Sequence, residues 1–235
     1  MSDENLSDIV SIPVSTIEDV ISVMRRIDGA LPDTDGLKWF NLLYLKVTEA
    51  VGAATAGHAW NDPAWLKRLD VVFAQMYFAA VRDPGSAPRS WKVLFNARNN
   101  PRIMRVQFAI CGMNAHINHD LQFAVAQTGV ETGIAPKSGS PQHRDYQFVN
   151  DILEAVEPGV KRFLATGIVG QVDQDLGRID DILAMWGIRK ARDTAWGYAQ
   201  VFWHIRNNAF LRKIQLESVD NITSAFGRGL IIPVL

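Results

Sequence analysis

The stretch RIMRVQFAICGMNAHINHDLQFAVAQ, Arg102 to Gln127, decides the fold. It is apolar almost all round, the pattern of a helix buried at the centre of a domain. Yet Asn114, His116, Asn118, His119 and Asp120 fall close together within it. A buried polar group without a partner costs about 1–3 kcal/mol, so the cluster calls for a hydrogen-bond network or a function.

At about 100° per residue, His116 and Asp120 sit one turn apart on one face. Gly112, Met113, His119, Phe123 and Gln127 fall within about 60° of that face. Gly112 and Ala109 are small and leave room for a ligand, a metal or another backbone to come close. The His116/Asp120 face is therefore the expected site of chemistry. Asn114 and Asn118 are also one turn apart, on the opposite side. They are expected to form a structural hydrogen-bond network that fixes one packing register.

Working outward, residues 1–14 read as a flexible or extended lead-in, and 15–235 as one helical domain. Ser15 and Glu18 have the spacing of a capping box, opening a helix that runs to about Ala30. Asp35 caps a second helix, GLKWFNLLYLKVTEAVGAATA. Asn61-Asp62-Pro63 starts a third, with Pro at its first position. That third helix carries Asp70 inside an apolar run, with Tyr77 seven residues on. A short helix around Trp91 to Ala97 precedes the central one.

Gly129 to Gln142 is rich in Gly, Pro, Ser and Thr. A loop of that length in a compact domain suits a lid over the His116/Asp120 site as well as a plain connector. Helices are expected at His143–Ala155, continuing to Val169, then at Asp173–Trp186, and as one long amphipathic helix from Ile188 to Leu216. Trp196 and Trp203 share a face of the last. The tail GRGLIIPVL reads as extended. The whole is an all-α, single-domain bundle of about seven to nine helices around the buried helix 102–127.

Composition narrows the function. Of 235 residues, 48% are hydrophobic, and 24 Lys and Arg stand against 25 Asp and Glu. No segment concentrates the basic residues, which argues against nucleic acid as the partner. No uncharged apolar run is long enough to span a membrane. The start, MSDENLSDIVS, is acidic and polar, unlike a signal peptide. One cysteine, Cys111, excludes an internal disulfide and fits a reducing cytoplasm. The expected protein is soluble and cytoplasmic. Its partner is a small molecule, and self-association is left open.

The segments DGLKWFNLLYLKVTEAV, RLDVVFAQMYFAAV, FAICGMNAHINHDLQFAV, HRDYQFVNDIL and ARDTAWGYAQVFW together resemble a bacterial and fungal family known only as a domain of unknown function. The resemblance spans roughly residues 20–232, and its most specific motif is GMNAHINHDL, Gly112 to Leu121. It implies one domain and assigns no reaction. A weaker similarity is to the zinc-dependent phospholipase C and P1-type nucleases, which are all-α and use His-x-x-x-Asp pairs on helices. This chain has one such pair, five histidines and no N-terminal Trp ligand. A three-zinc site is therefore not expected.

His116 with Asp120 admits three readings. As metal ligands, imidazole and carboxylate at i,i+4 converge on one divalent ion, with Asp70 and His143 or Asp145 completing the shell. As an acid–base pair, Asp120 orients His116 and raises its basicity. As structure, the two satisfy each other. Asp70 is a second acid or ligand, or else pairs with Arg192, Arg206 or Tyr77. Arg192, one turn before Trp196, places a cation beside an indole and lines an apolar pocket with it.

The reading is an enzyme acting on a small, largely apolar organic molecule by hydrolysis or by acid–base-driven cyclisation, rearrangement or isomerisation. His116, Asp120 and Asp70 would be catalytic. Gly112, Met113, His119, Phe123, Tyr77, Trp196 and Arg192 would line the pocket. The alternatives are a non-catalytic small-molecule-binding protein and a metal-dependent hydrolase using His116, Asp120, Asp70 and His143. No redox cofactor is implied.

Overall fold

The computed structural model describes residues 3–55, 58–166 and 187–233. Among them every regular element is helical, and the elements pack as one all-α bundle. The helices are α1 (Asp3–Val10), α2 (Ile17–Ala30), α3 (Gly36–Thr55), α4 (Pro63–Arg82), α5 (Arg89–Ala97), α6 (Arg105–Met113), α7 (Leu121–Thr132), α8 (Pro141–Thr166), α9 (Ile188–Ile205) and α10 (Ala209–Leu230). Between α6 and α7 the chain continues as a π-helical segment, Asn114–Asp120. The helix expected at Asp173–Trp186 lies outside the described residues.

The chain starts differently from the expected lead-in. Residues 3–10 form α1, which buries Leu6, Ile9 and Val10 against α2 and α4. The apolar positions of DENLSDIV lie one turn apart, enough to hold a short helix on the bundle. The capping box of α2 is one residue further on than Ser15/Glu18. Thr16 accepts from the Asp19 amide, and Asp19 accepts from the Thr16 amide. Ser15 donates to Asp19 as well, through its amide and its hydroxyl.

Local signals fix the next helices. Asp35 accepts from the Leu37 amide at the start of α3 and holds the Arg98 guanidinium after α5. Asp62 caps α4 ahead of Pro63. The turn before α4 is held from a distance by Asp145 of α8, which accepts from the amides of Asn61 and Asp62. Asp145 is thus an anchor for the α4 terminus.

The central stretch runs through the middle of the bundle. α3 packs on α6, α4 packs on α7, α9 packs on α7 and the π segment, and α10 packs on α5 and the π segment. The helix is longer than expected at its C-terminal end. Helix α7 continues to Thr132 and stops where Gly133 turns left-handed, at φ 74°. The Gly129–Gln142 loop therefore shrinks to the residues between Gly133 and Ser140. Twelve helical residues separate its start from Asp120, about 18 Å along the axis. Gly129 is buried, and a Cβ there would meet the Ile134 carbonyl oxygen at 2.7 Å. With α7 extending the helix, the loop does not begin beside the His116/Asp120 pair, and the lid reading loses its geometric basis.

Two more boundaries move. The expected long helix from Ile188 breaks at Arg206–Asn208 into α9 and α10, with Asn208 capping the latter through the Leu211 amide. The tail is helical to Leu230, where Gln107 of α6 donates to the carbonyls of Leu230 and Ile232.

Gly112 does not open space for a ligand. The Phe40 ring of α3 already fills that space, and a Cβ on Gly112 would overlap it. Its role is close packing of α3 on α6. Gly112→Ala is accordingly expected to destabilise the fold by about 1–3 kcal/mol through overpacking. Urea unfolding checks this: an unchanged midpoint would show that Phe40 moves aside freely.

Candidate functional site

The π-helical segment contains Asn114, His116, Asn118, His119 and Asp120. Its backbone signature is the Leu121 amide donating to the His116 carbonyl, five residues back. The wider turn rotates side chains away from their α-helical directions. His119, about 60° off the His116/Asp120 face in an ideal α-helix, instead joins it.

Asp120 is the centre of the arrangement. Its Oδ1 lies 2.7 Å from His119 Nδ1, and its Oδ2 lies 3.1 Å from His116 Nδ1. The Trp91 indole N–H of α5 donates to the same Oδ2 at 2.8 Å. Burial alone would raise the Asp120 pKa. The hydrogen bonds and electrostatic pull of the two imidazoles outweigh it and hold the carboxyl below its ordinary range. Both imidazoles use Nδ1 on the carboxylate, so each Nε2 points elsewhere.

For His116, elsewhere is an aromatic enclosure. The side chain has no exposed surface. Phe73 stacks on it at 3.5 Å and 4°, and Tyr44, Phe40, Tyr77 and Trp91 close the other sides. Its Nε2 has no hydrogen-bond partner among the described residues. Burial pushes its pKa down, against the opposing pull of Asp120, so the imidazole is held neutral. For His119, Nε2 looks toward Asp220 of α10 at 4.0 Å. Asp220 also accepts from the amides of Arg89 and Ser90 at the start of α5.

Asp70 lies on α4 with a buried Oδ2 that takes no hydrogen bond. Burial raises its pKa to about 7, moderated by the charge of Arg192. Tyr44 connects the two carboxylates electrostatically. Its phenol is pushed well above its usual pKa by burial first, then by Asp70, with a smaller push from Asp120. Tyr77 donates to Asn41 and stacks on Trp91 as part of the enclosure.

The remaining sequence candidates separate from this cluster. Arg192 donates to Asn150 and to the Tyr146 carbonyl, and lies over the Tyr146 ring. Trp196 packs on Trp65, Tyr146 and His143. His143 accepts from the Gly139 amide. These residues join α8 to α9 and do not touch His116. Among the described residues, no three His, Cys, Asp or Glu side chains group as ligands for a metal ion. The metal set His116, Asp120, Asp70 and His143 therefore does not assemble, because His143 is committed to the α8–α9 contact and both Nδ1 atoms face Asp120. Phe123 packs edge-on against His119 and against Phe202.

The opposite side of the π segment is open. Asn118 donates to Asn114 Oδ1 at 2.9 Å, and Asn114 donates to the Thr223 carbonyl of α10 at 2.9 Å. These amides lie at the floor of a groove of about 290 Å³ between α9 and α10. Its walls are Ala195, Tyr198, Val219, Ile222 and Phe226, with the hydroxyl residues Thr194 and Thr223. Met113, placed by the sequence on the His116 face, borders a smaller adjoining recess with Asn114 and Ala191.

Asp220, Trp91, Tyr44 and Thr223 were not singled out by the sequence as members of either side. Each meets the π segment from a distant helix, so no local spacing announces it. The one available sign was the number of buried donors and acceptors that the central stretch leaves to be satisfied.

These elements define a single-domain, all-helical protein whose central helix carries the His116, His119 and Asp120 cluster on a π-helical segment. The chain belongs to the family described as a family of unknown function, DUF5995, whose model matches residues 17–233. No curated protein and no solved structure matches it. Among the described residues no helix is long and apolar enough to cross a membrane.

The titrating groups of this region act on stability with opposite signs. Asp70 keeps its proton in the folded state up to about pH 7, whereas an unfolded Asp loses it near 3.8. The folded state then binds more protons, so this residue lowers stability as pH rises through that window. Asp70→Asn should stabilise the fold at pH 8, on the order of 1 kcal/mol, and the gain should vanish toward pH 4. His116 has a lowered pKa, so its contribution is lost as pH falls below about 6.5. Denaturation of the Asp70→Asn variant across pH checks the sign: a gain that is constant or grows toward acid contradicts the assignment.

Proposed function

We propose that this protein binds a small, largely apolar organic molecule in the groove between α9 and α10. The observation that carries this reading is the composition of the groove. Amides from a rigid turn form its floor, and aliphatic and aromatic side chains form its walls. Small-molecule sites have this character, mostly apolar lining with a few oriented polar groups, and begin at about 300 Å³. Asn118 spends its amino group on Asn114. Among the described residues no donor reaches its Oδ1, which suits a ligand carrying a hydroxyl or N–H group.

The polar cluster behind the floor supports the same reading. Asp120 holds both imidazoles and the Trp91 indole, so the turn that carries Asn114 and Asn118 is fixed from its dry side. A preformed floor lowers the ordering cost of binding.

Acid–base chemistry is a second reading, favoured by the Asp120–His119 pair. A carboxylate on Nδ1 leaves Nε2 as a base, the arrangement used in general acid–base catalysis. His119 would take this role in place of His116, because the aromatic enclosure keeps solutes from His116. Asp70 would not act directly, since it is not among the residues that line the groove.

Nile red, an uncharged apolar dye, serves as a probe of the apolar walls. Its fluorescence should rise on binding the wild-type protein. Thr194→Trp fills the groove from an exposed position and should weaken binding at least about tenfold with the melting temperature kept. Wild-type affinity in Thr194→Trp would rule out the groove as the site.

A further inference from the structure

The groove between α9 and α10 and the smaller recess beside it share Asn114, Asn118, Ala191 and Phe226. They measure about 290 Å³ and about 120 Å³ and meet over the two asparagines. Beyond the shared residues, Ile110, Met113, Ile117 and Ile188 wall the recess. Among the described residues that line either hollow, none carries a charge.

One backbone group fixes the polarity of the shared floor. The Thr223 carbonyl only accepts, so Asn114 presents its amide nitrogen to it, at 2.9 Å. Asn114 Oδ1 is then turned toward Asn118 and needs a donor. Asn118 supplies Nδ2, at 2.9 Å, which turns its own Oδ1 away from Asn114. The nearby hydroxyls already have partners: Thr194 donates to the Lys190 carbonyl at 2.8 Å, and Thr223 to the Asn118 carbonyl at 3.5 Å. Asn118 Oδ1 is therefore the acceptor for which the floor holds no donor.

We infer that the groove and recess together take an uncharged secondary alcohol, its hydroxyl donating to Asn118 Oδ1 with an apolar arm in each hollow. This rests on the ligand-binding reading above and supplies its chemical class. A ligand without a donor would cover Oδ1 and leave it unpaired, which is costly away from water. The second hydrogen of Asn118 Nδ2 does not discriminate, because a hydroxyl oxygen accepts it as well as a carbonyl does. A carboxylate would meet an acceptor and no cation. The hydroxyl is internal rather than terminal because both asparagines lie where the two hollows meet.

Displacement of bound Nile red by diphenylmethanol, benzophenone and diphenylacetate tests the inference. Diphenylmethanol and benzophenone have the same two apolar arms, and differ in that the ketone only accepts. The alcohol should bind the wild-type protein at least about tenfold more tightly than the ketone. Diphenylacetate should bind more weakly than the alcohol. Asn118→Leu should abolish the preference for the alcohol, and if that variant does not fold, the wild-type ratio decides. Equal or tighter binding of benzophenone or diphenylacetate overturns the inference, as does failure of all three to displace the dye. So does a preference that survives Asn118→Leu. Where Thr194→Trp weakens dye binding, any of these results removes the alcohol and leaves the groove standing. Dye binding indifferent to Thr194→Trp removes both.

Discussion

The hydrogen bonds converging on Asp120 are the interaction on which the rest of the structure depends. A buried carboxylate is costly unless it is hydrogen-bonded and its charge is compensated. Here two imidazoles from its own helix and one indole from α5 supply the donors. The backbone gives up α-helical bonding over Asn114–Asp120 to let them converge. A π turn is poorer than an α turn in isolation, so it persists where side-chain bonding more than offsets the loss. The effect spreads outward from there. Trp91 ties α5 to the central helix, and Asp220 ties the start of α5 to α10. The position of α10, and with it one wall of the groove, therefore traces back to a single carboxylate.

The parts of this arrangement that the sequence discloses are those set by local chemistry. Asp62 and Pro63 announce a helix start because cap and ring act within four residues of each other. The apolar run around GMNAHINHDL announces a central helix because burial on all sides needs apolar residues on all sides. The π turn is different in kind. Its cause lies in Trp91 and in the packing of Phe73 and Tyr44 on His116, and none of these is near in sequence. Gly112 illustrates the same limit. A small residue marks a close approach, but its neighbours cannot say whether a ligand or the Phe40 ring makes it. Gly129 belongs to the helix rather than to the loop for the reverse reason: the chain after it folds back so that the Ile134 carbonyl presses where a Cβ would stand.

The site candidates divide along the same line. His116, Asp120 and His119 are adjacent on one turn, so helical geometry brings them together. Asp70, Tyr77, Arg192, Trp196 and His143 sit on three other helices, and only the packing of those helices decides who meets whom. Tyr77 joins the aromatic enclosure of His116, whereas Asp70 is linked to the cluster only through its electrostatic effect on Tyr44. Arg192 and Trp196 instead close the seam between α8 and α9, with Tyr146 between them. An Arg–Trp spacing of one turn looks the same in a pocket and in a seam.

The π segment ends up with two unlike surroundings. On the histidine side, stacked rings exclude water, and the low local dielectric strengthens each bond to Asp120 while penalising any unpaired polar atom. Among the described residues the unpaired buried atoms include two that titrate, His116 Nε2 and, on α4, the Asp70 carboxyl at Oδ2. The protein meets their cost by protonation state: the imidazole stays neutral, and the carboxyl keeps its proton to about pH 7. Neither then carries an uncompensated charge under mildly acidic conditions. On the asparagine side the same turn meets the groove with amides, which hydrogen-bond without titrating. A floor built from Asn114 and Asn118 therefore stays uncharged as pH changes. The dry side sets the geometry of the turn, and the open side exposes its amides to the groove.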